Sequence, residues 1–372
     1  MLLTDKTLVK YMMEKGFIST KSFVDGDLLL KDRSRRNLNY QVISEEQSYL
    51  VKQGLDKERI AAIANEAMVY DFLHRKFGAK ERIKGMIPRF YKYDPKQNIL
   101  VIELVKDGKN LQEYYLRIGR FSRKHAEIIG MILGTLHNLT ELKDNNKYKH
   151  ILKSQTQPRF IANLRNPNIQ TFQYSSSASI QLIKIIQQNK ELFSYLDEFI
   201  NMWTQKCLIH SDVKLENFVI SSGNSYMKKN KTIKLVDWEL ASLGDPAWDV
   251  GSVFSSYLAL WLFSIPISDE TSPDKFMEQA KFPIEKIQPL IQSFWSMYVY
   301  HMKLDHAASQ KLLVRAAKYT SARLIQTGYE FSQSKVDLTG HVVCLIQLSI
   351  NILKRPKETI SGLFGIKENF ST

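Results

Sequence analysis

The sequence predicts an α+β fold in two lobes, a small antiparallel β-sheet lobe over residues 1–105 and a mainly helical lobe over 106–372. Three observations lead there. Short runs rich in β-branched and aromatic residues crowd the first part of the chain, separated by turn signals. From Leu111 onward, long segments carry apolar residues at helical spacing. Between them the polar stretch Lys106-Asp107-Gly108-Lys109 marks a change of character, which places a hinge near Glu103–Asp107.

Within the first lobe, the opening twenty residues read as a short helix. Asn39–Ile43 and Gln47–Gln53 are β-rich runs joined across Ser-Glu-Glu, a hairpin pattern. Arg59–Arg75 follows as a helix with Ile63, Ala67, Tyr70 and Leu73 on one stripe. Arg89–Tyr93 and Ile99–Leu104 complete the sheet across the turn Asp94-Pro95. In the second lobe, helices are expected over Leu111–Ile118, His125–Leu139, Ile180–Trp203, Ile284–His301, Ala307–Tyr329 and His341–Leu353. Two short strands, Phe218–Ile220 and Thr232–Val236, interrupt them. Asn166–Ser179, rich in Asn, Gln and Ser, reads as a loop.

Composition narrows the class. With 372 residues, 44% hydrophobic and 24% charged, the chain has enough apolar content for a large core, which excludes disorder and fibrous repeats. Two cysteines, Cys207 and Cys344, make no disulfide framework and suit a reducing, cytoplasmic setting. The N-terminus mixes charge into its first residues and lacks a signal-peptide core. Val250–Ser268 is uncharged and long enough to span a bilayer. Its Gly251, Pro266 and serines, and its place after an acidic motif, instead mark a buried helix, so no membrane partner is expected. The formal charge of +14 favours anionic partners such as nucleotide phosphates or an acidic peptide. The clusters Arg33, Arg35, Arg36 and Lys228, Lys229, Lys231, Lys234 match no nucleic-acid motif, and no nucleic acid is expected.

The chemistry concentrates in Cys207-Leu-Ile-His210-Ser-Asp212-Val-Lys214-Leu-Glu-Asn217-Phe-Val-Ile220 and, downstream, Ile233-Lys-Leu-Val-Asp237-Trp238-Glu239. An apolar run delivers His210 and Asp212, Asn217 begins a second run, and a strand leads to Asp237. Strand alternation would put Ile233, Leu235 and Asp237 on one side. Phosphoryl transfer uses this inventory, because its transition state is built by positioning and by neutralising phosphate charge. A carboxylate orients the acceptor hydroxyl, a task for Asp212. Hard oxygen ligands hold Mg²⁺, a task for Asn217 and Asp237.

His-x-Asp-x4-Asn followed by Asp-Trp-Glu resembles the catalytic and metal-binding motifs of the aminoglycoside phosphotransferase and choline kinase family, which has a bilobal protein-kinase-like fold. The resemblance implies ATP and Mg²⁺ as cofactors, Asp212 as catalytic base, Asn217 and Asp237 as metal ligands, and His210 as a support of the catalytic loop. Lys214 resembles the lysine of Asp-x-Lys-x-x-Asn in protein Ser/Thr kinases, where it faces the transferred phosphate. Upstream, Lys52 lies in an apolar strand and Glu66 on the following helix; each is costly alone, and pairing answers both costs. The pair matches the kinase arrangement in which a strand lysine, oriented by a helix glutamate, holds the α- and β-phosphates.

The phosphate-covering loop departs from the protein-kinase pattern, since Asp32–Asn39 has no glycine. Ser34, with Arg35 or Arg36, is the candidate there. Ile99–Val105 resembles the strand entering the hinge, with main-chain groups of Glu103–Val105 meeting adenine. Gly244-Asp245-Pro246-Ala-Trp-Asp249 resembles the segment after Asp-Trp-Glu; Asp245 suits a helix N-cap, Pro246 a first turn, and Asp249 a tie to the catalytic loop. The expected activity is transfer of the γ-phosphate of ATP to a hydroxyl, on a small-molecule acceptor first, on a Ser/Thr peptide second. A silent nucleotide-binding scaffold is the third reading.

Overall fold

The computed structural model describes residues 1–24, 26–34, 37–45, 47–77, 83–142, 150–221, 232–266 and 277–367. Arg35, Arg36, Lys228, Lys229 and Lys231 lie outside the described residues. The chain forms two compact units, Met1–Arg117 with Glu216–Ala241, and Ile118–Leu215 with Ser242–Thr372.

The first unit is built on five antiparallel strands, β1 (Leu29–Asp32), β2 (Leu38–Ile43), β3 (Tyr49–Gln53), β4 (Phe90–Asp94) and β5 (Ile99–Glu103), in the order β1-β2-β3-β5-β4. Alternation gives β3 two faces. Tyr49 and Val51 join Val42, Val101 and residues of helix α1 (Asp5–Glu14), among them Leu8, Tyr11 and Met12, in one apolar cluster. The opposite face carries Lys52 toward helix α3 (Lys57–Phe77), whose Ile63, Glu66, Ala67, Tyr70 and Leu73 are buried. A short helix α2 (Thr20–Val24) precedes the sheet. A second sheet of three strands, β6 (Lys109–Asn110), β8 (Phe218–Ser221) and β9 (Thr232–Leu235), completes this unit. The helix α4 (Leu111–Ile118) follows β6 directly.

The second unit is helical: α5 (Arg123–Leu139), α6 (Arg159–Arg165), α7 (Ile169–Gln173), α8 (Ser177–Gln188), α9 (Lys190–Asn201), α10 (Pro246–Phe263), α11 (Ile284–Met302), α12 (His306–Ser332) and α13 (Gly340–Lys354). A small sheet there pairs β7 (Cys207–Ile209) with β10 (Ser242–Gly244). The single helix expected over Ile180–Trp203 is two. Asn189 breaks it with ψ 99° and turns its side chain to accept from the Leu192 N–H at 2.9 Å, capping α9 in place of continuing α8. The expected loop at Asn166–Ser179 contains α7 and the start of α8. Val250–Phe263 of the uncharged stretch lies in α10, which is buried from Pro246 to Leu262 save Ser256, and Ile267 and Ser268 lie outside the described residues. Among the described residues no helix is long and apolar enough to cross a membrane.

Glycines set helix spacing, Gly134 and Gly251 among them. A Cβ on Gly134 of α5 would sit 2.7 Å from the Tyr298 carbonyl of α11, and one on Gly251 of α10 would sit 2.7 Å from the Ala316 carbonyl of α12. Both neighbours are backbone, so neither can yield cheaply. We expect Gly251→Ala to lower stability by about 1–3 kcal/mol, read as a fall in the thermal midpoint. Gly362→Ala, which meets nothing within 4 Å, is the control and should stay close to wild type.

Candidate active site

In the first unit, burial and charge meet at Lys52. Its ammonium lies 3.0 and 2.9 Å from the two Glu66 oxygens and 3.0 Å from Oδ1 of Asp237. Glu66 is fully buried and Lys52 nearly so, whereas the Asp237 side chain is 40% exposed. Burial disfavours the Lys52 charge, but the Asp237 and Glu66 carboxylates overcome it and push its pKa up. Burial pushes the Glu66 carboxyl up to about 7, with Lys52 opposing. The ammonium is thus held charged in a dry setting, with one partner locked inside and the other at the surface.

Asp237 does not continue strand β9, as alternation from Ile233 and Leu235 suggested. The strand ends at Leu235, and Asp237 adopts left-handed φ 70°, ψ 60°, a conformation aspartate tolerates better than most residues. Several bonds secure the turn. The Val236 N–H donates to the Asn217 carbonyl at 2.9 Å, and Asn65 of α3 donates to the Glu239 and Ala241 carbonyls, each at 3.0 Å. Phe218 pairs with Leu235 in the β8–β9 ladder, so Asn217 and Asp237 flank the same end of that ladder. A carboxylate and an amide oxygen at one ladder end fit Mg²⁺, which takes one or two protein ligands and completes its shell with phosphates and water. Among the described residues no cluster of three or more His, Cys, Asp or Glu forms a self-sufficient metal cage.

Ser34 lies between β1 and β2. Its Oγ accepts from the Asn39 N–H at 3.1 Å, and its N–H donates to Asp32 Oδ1 at 2.7 Å; the Ser34 hydroxyl first, and then this N–H, hold the Asp32 carboxyl below its usual value. At the end of β5, Glu103 binds Lys234 of β9 through both oxygens, at 2.5 and 2.6 Å, and accepts from the Arg89 N–H at 2.9 Å. The segment beyond is shaped by Leu104 N–H to the Ser48 carbonyl and Gly108 N–H to the Val105 carbonyl.

In the second unit, His210, Asp212 and Lys214 follow β7 on a loop pinned from the first turn of α10. The carboxylate of Asp249, fully buried, accepts from the His210 N–H at 2.7 Å and the Ser211 N–H at 3.0 Å. The indole of Trp248 donates to the Ser211 carbonyl at 3.0 Å. These bonds hold Ser211 at φ 70°, a costly angle for serine that needs such support. Asp249 is itself fixed by His137 of α5, whose other nitrogen meets the Tyr298 hydroxyl of α11. His210 is buried, and its Nδ1 accepts from the Asp212 N–H at 3.4 Å. Asp245 caps α10, accepting from the Ala247 N–H at 3.0 Å, and binds Arg315.

Asp212 is bracketed by two cations, Arg323 of α12 on Oδ1 and Lys214 on Oδ2, both at 3.1 Å. Burial works against its charge; Arg323 first, then Lys214 and His210, overcome it and hold the carboxyl below its usual value. Asp212 is therefore an ionised carboxylate at neutral pH, suited to accepting a hydroxyl's hydrogen bond.

The family model APH, Phosphotransferase enzyme family, matches residues 31–270. The chain belongs to this phosphotransferase family. Solved structures agree on the fold. The Plasmodium vivax ethanolamine kinase is similar at 16% identity and TM-score 0.58, over 95% of this chain and 91% of the other. The Cryptosporidium parvum choline kinase is similar at 13% identity and TM-score 0.56, over 97% and 99%. A glucosamine kinase solved with glucosamine, ADP and inorganic phosphate follows at 14% and 0.53, over 90% and 84%. No curated protein matches the sequence significantly.

Arg323 is the residue of this phosphotransferase that sequence reading missed. It stands 111 residues from Asp212 in a helix with no motif, and only its place among buried residues of α12 such as Ala322, Leu324 and Ile325 points to a partner. The Lys52 cluster yields a prediction. Lys52→Met leaves Glu66 buried without its cation, which should cost about 3–5 kcal/mol. Removing the ammonium raises the Glu66 pKa further above its unfolded value. Its favourable protonated state is then full at low pH and lost as pH rises, so the defect measured by denaturant melts should be larger above pH 7 than below it. Adding Glu66→Leu should recover most of the loss.

Proposed function

We propose that the protein is a kinase that moves the γ-phosphate of ATP to a hydroxyl of a small molecule. The observation that carries this is the Lys52 ammonium held at 2.9–3.0 Å between Glu66 and Asp237, the arrangement that phosphoryl-transfer sites use to hold phosphates beside a metal ligand. Lys52, oriented by Glu66, binds the α- and β-phosphates. Asn217 and Asp237 hold Mg²⁺, which neutralises phosphate charge when bound. Ser34 and the main chain of Glu103–Val105 contact the phosphates and adenine.

Asp212 accepts the hydrogen bond of the acceptor hydroxyl and aims its oxygen at phosphorus. The acceptor oxygen bonds to the γ-phosphorus as the bond to the bridging oxygen breaks; that electron pair leaves with ADP, and the hydroxyl proton passes through Asp212 to solvent. Lys214 leaves the Asp212 carboxylate to meet the charge on the transferred group. A small-molecule acceptor is favoured over a peptide because the structural neighbours include kinases named for ethanolamine, choline and glucosamine.

A transfer screen across amino alcohols, amino sugars, nucleosides and Ser/Thr peptides tests the reading, with turnover expected on one small-molecule class. Asp212→Asn should lower kcat by about 10²–10⁴-fold while nucleotide affinity stays near wild type. Asp237→Ala should abolish Mg²⁺-supported nucleotide binding measured by calorimetry. Equal, mild effects of both changes would remove the assigned roles.

A further inference from the structure

We infer that Arg323 is a positioning residue for phosphoryl transfer: it fixes one oxygen of Asp212 so that the other faces the acceptor hydroxyl. This rests on the role proposed for Asp212. As the structure stands, both Asp212 oxygens are taken, Oδ1 by Arg323 and Oδ2 by Lys214. An acceptor hydroxyl approaches one of these oxygens, beside its cation or in place of it, and the two cations are held very differently.

The Arg323 side chain is 7% exposed, against 33% for Lys214. Its Nη1 donates to Gln326 Oε1 at 2.6 Å, and Gln326 in turn donates to Glu330 one turn on, at 2.8 Å. The guanidinium carbon lies 5.6 Å from the Trp248 ring centroid, within range of a cation–π contact. Trp248 also holds the Ser211 carbonyl, so one residue supports both the loop bearing Asp212 and the arginine facing it. The close approach of α12 to α10 at Gly251 supports that arrangement from the backbone. A planar guanidinium already held by Gln326 and Trp248 loses little further freedom on keeping Asp212 as a third contact, whereas a lysine is a point charge on a flexible stem. Lys214 is therefore the cation that leaves, and Arg323 the one that stays.

Staying has two consequences. The terminal torsion of aspartate is broad and two-fold, so an unheld carboxylate would present either oxygen at a range of angles. With Oδ1 fixed, Oδ2 is offered in one direction. Arg323 also keeps a positive charge beside the carboxylate when Lys214 moves away.

The test compares Arg323→Met and Arg323→Lys in the wild-type and Asp212→Asn backgrounds. Circular dichroism melts establish folding, and calorimetry gives nucleotide affinity. In the wild-type background Arg323→Met should lower kcat by about 10–100-fold, the scale of a displaced reacting group, with nucleotide affinity within about two-fold of wild type. Arg323→Lys should restore part of the rate. In the Asp212→Asn background Arg323→Met should cost less than about two-fold more, since residues acting as a unit are not additive. Equal fractional losses in both backgrounds, an unchanged kcat, or a matching fall in nucleotide affinity would overturn the inference. If the methionine variant does not fold, Arg323→Lys and Arg323→Gln carry the same comparison. A wild-type protein inactive on every hydroxyl counts against the kinase reading itself. The arginine's hold is then read without turnover from the ¹³C carboxyl resonance of Asp212, assigned with Asp212→Asn. A resonance that Arg323→Met leaves unmoved overturns the contact.

Discussion

The first unit depends on the burial of one ammonium. A lysine inside a sheet face is tolerated only with anions at hydrogen-bond distance, and breaking such a cluster leaves an uncompensated charge. That requirement ties together strand β3, which supplies Lys52, helix α3, which supplies Glu66, and the turn after β9, which supplies Asp237. It also accounts for the placement of Asn65 one residue before Glu66: on the same helix it holds the carbonyls of Glu239 and Ala241, fixing the turn whose carboxylate the lysine needs. The charge cluster and the backbone that presents it are held by one helix.

The second unit answers a comparable problem with a carboxylate. A loop in an unusual conformation leaves backbone donors inside the protein, and each buried donor without a partner costs about 1–3 kcal/mol. Asp249 satisfies two at once, His210 and Ser211, and is braced in turn by His137 and Tyr298. The helices that provide these groups approach closely because glycine stands at the contacts. Asp212 is thereby set on a rigid support, and the cations around it keep it ionised despite burial. Pre-organisation of this kind is what positioning catalysis requires.

Much of this was legible from local pattern. The hairpin of β2 and β3, the helix carrying Glu66 and the buried α10 follow from alternation, helical spacing and the Asp-Pro start of α10. The break at Asn189 was not, because a capping side chain competes with helix continuation only once the following residues are placed to be capped. Nor was the left-handed Asp237, since strand alternation says nothing of where the ladder stops.

The sequence by itself determined the fold class and singled out the candidate residues for the proposed chemistry, because both are written in short-range periodicity and in a motif of close spacing. The pairing of Lys52 with Glu66 was also readable, from a lone charge on an apolar strand and another on the following helix; tertiary structure alone decided the charge partners far apart in sequence. Lys52 and Asp237 are 185 residues apart, and Asp212 and Arg323 are 111 apart. At such separations ion pairing is a matter of distance and burial in space, which no local pattern encodes.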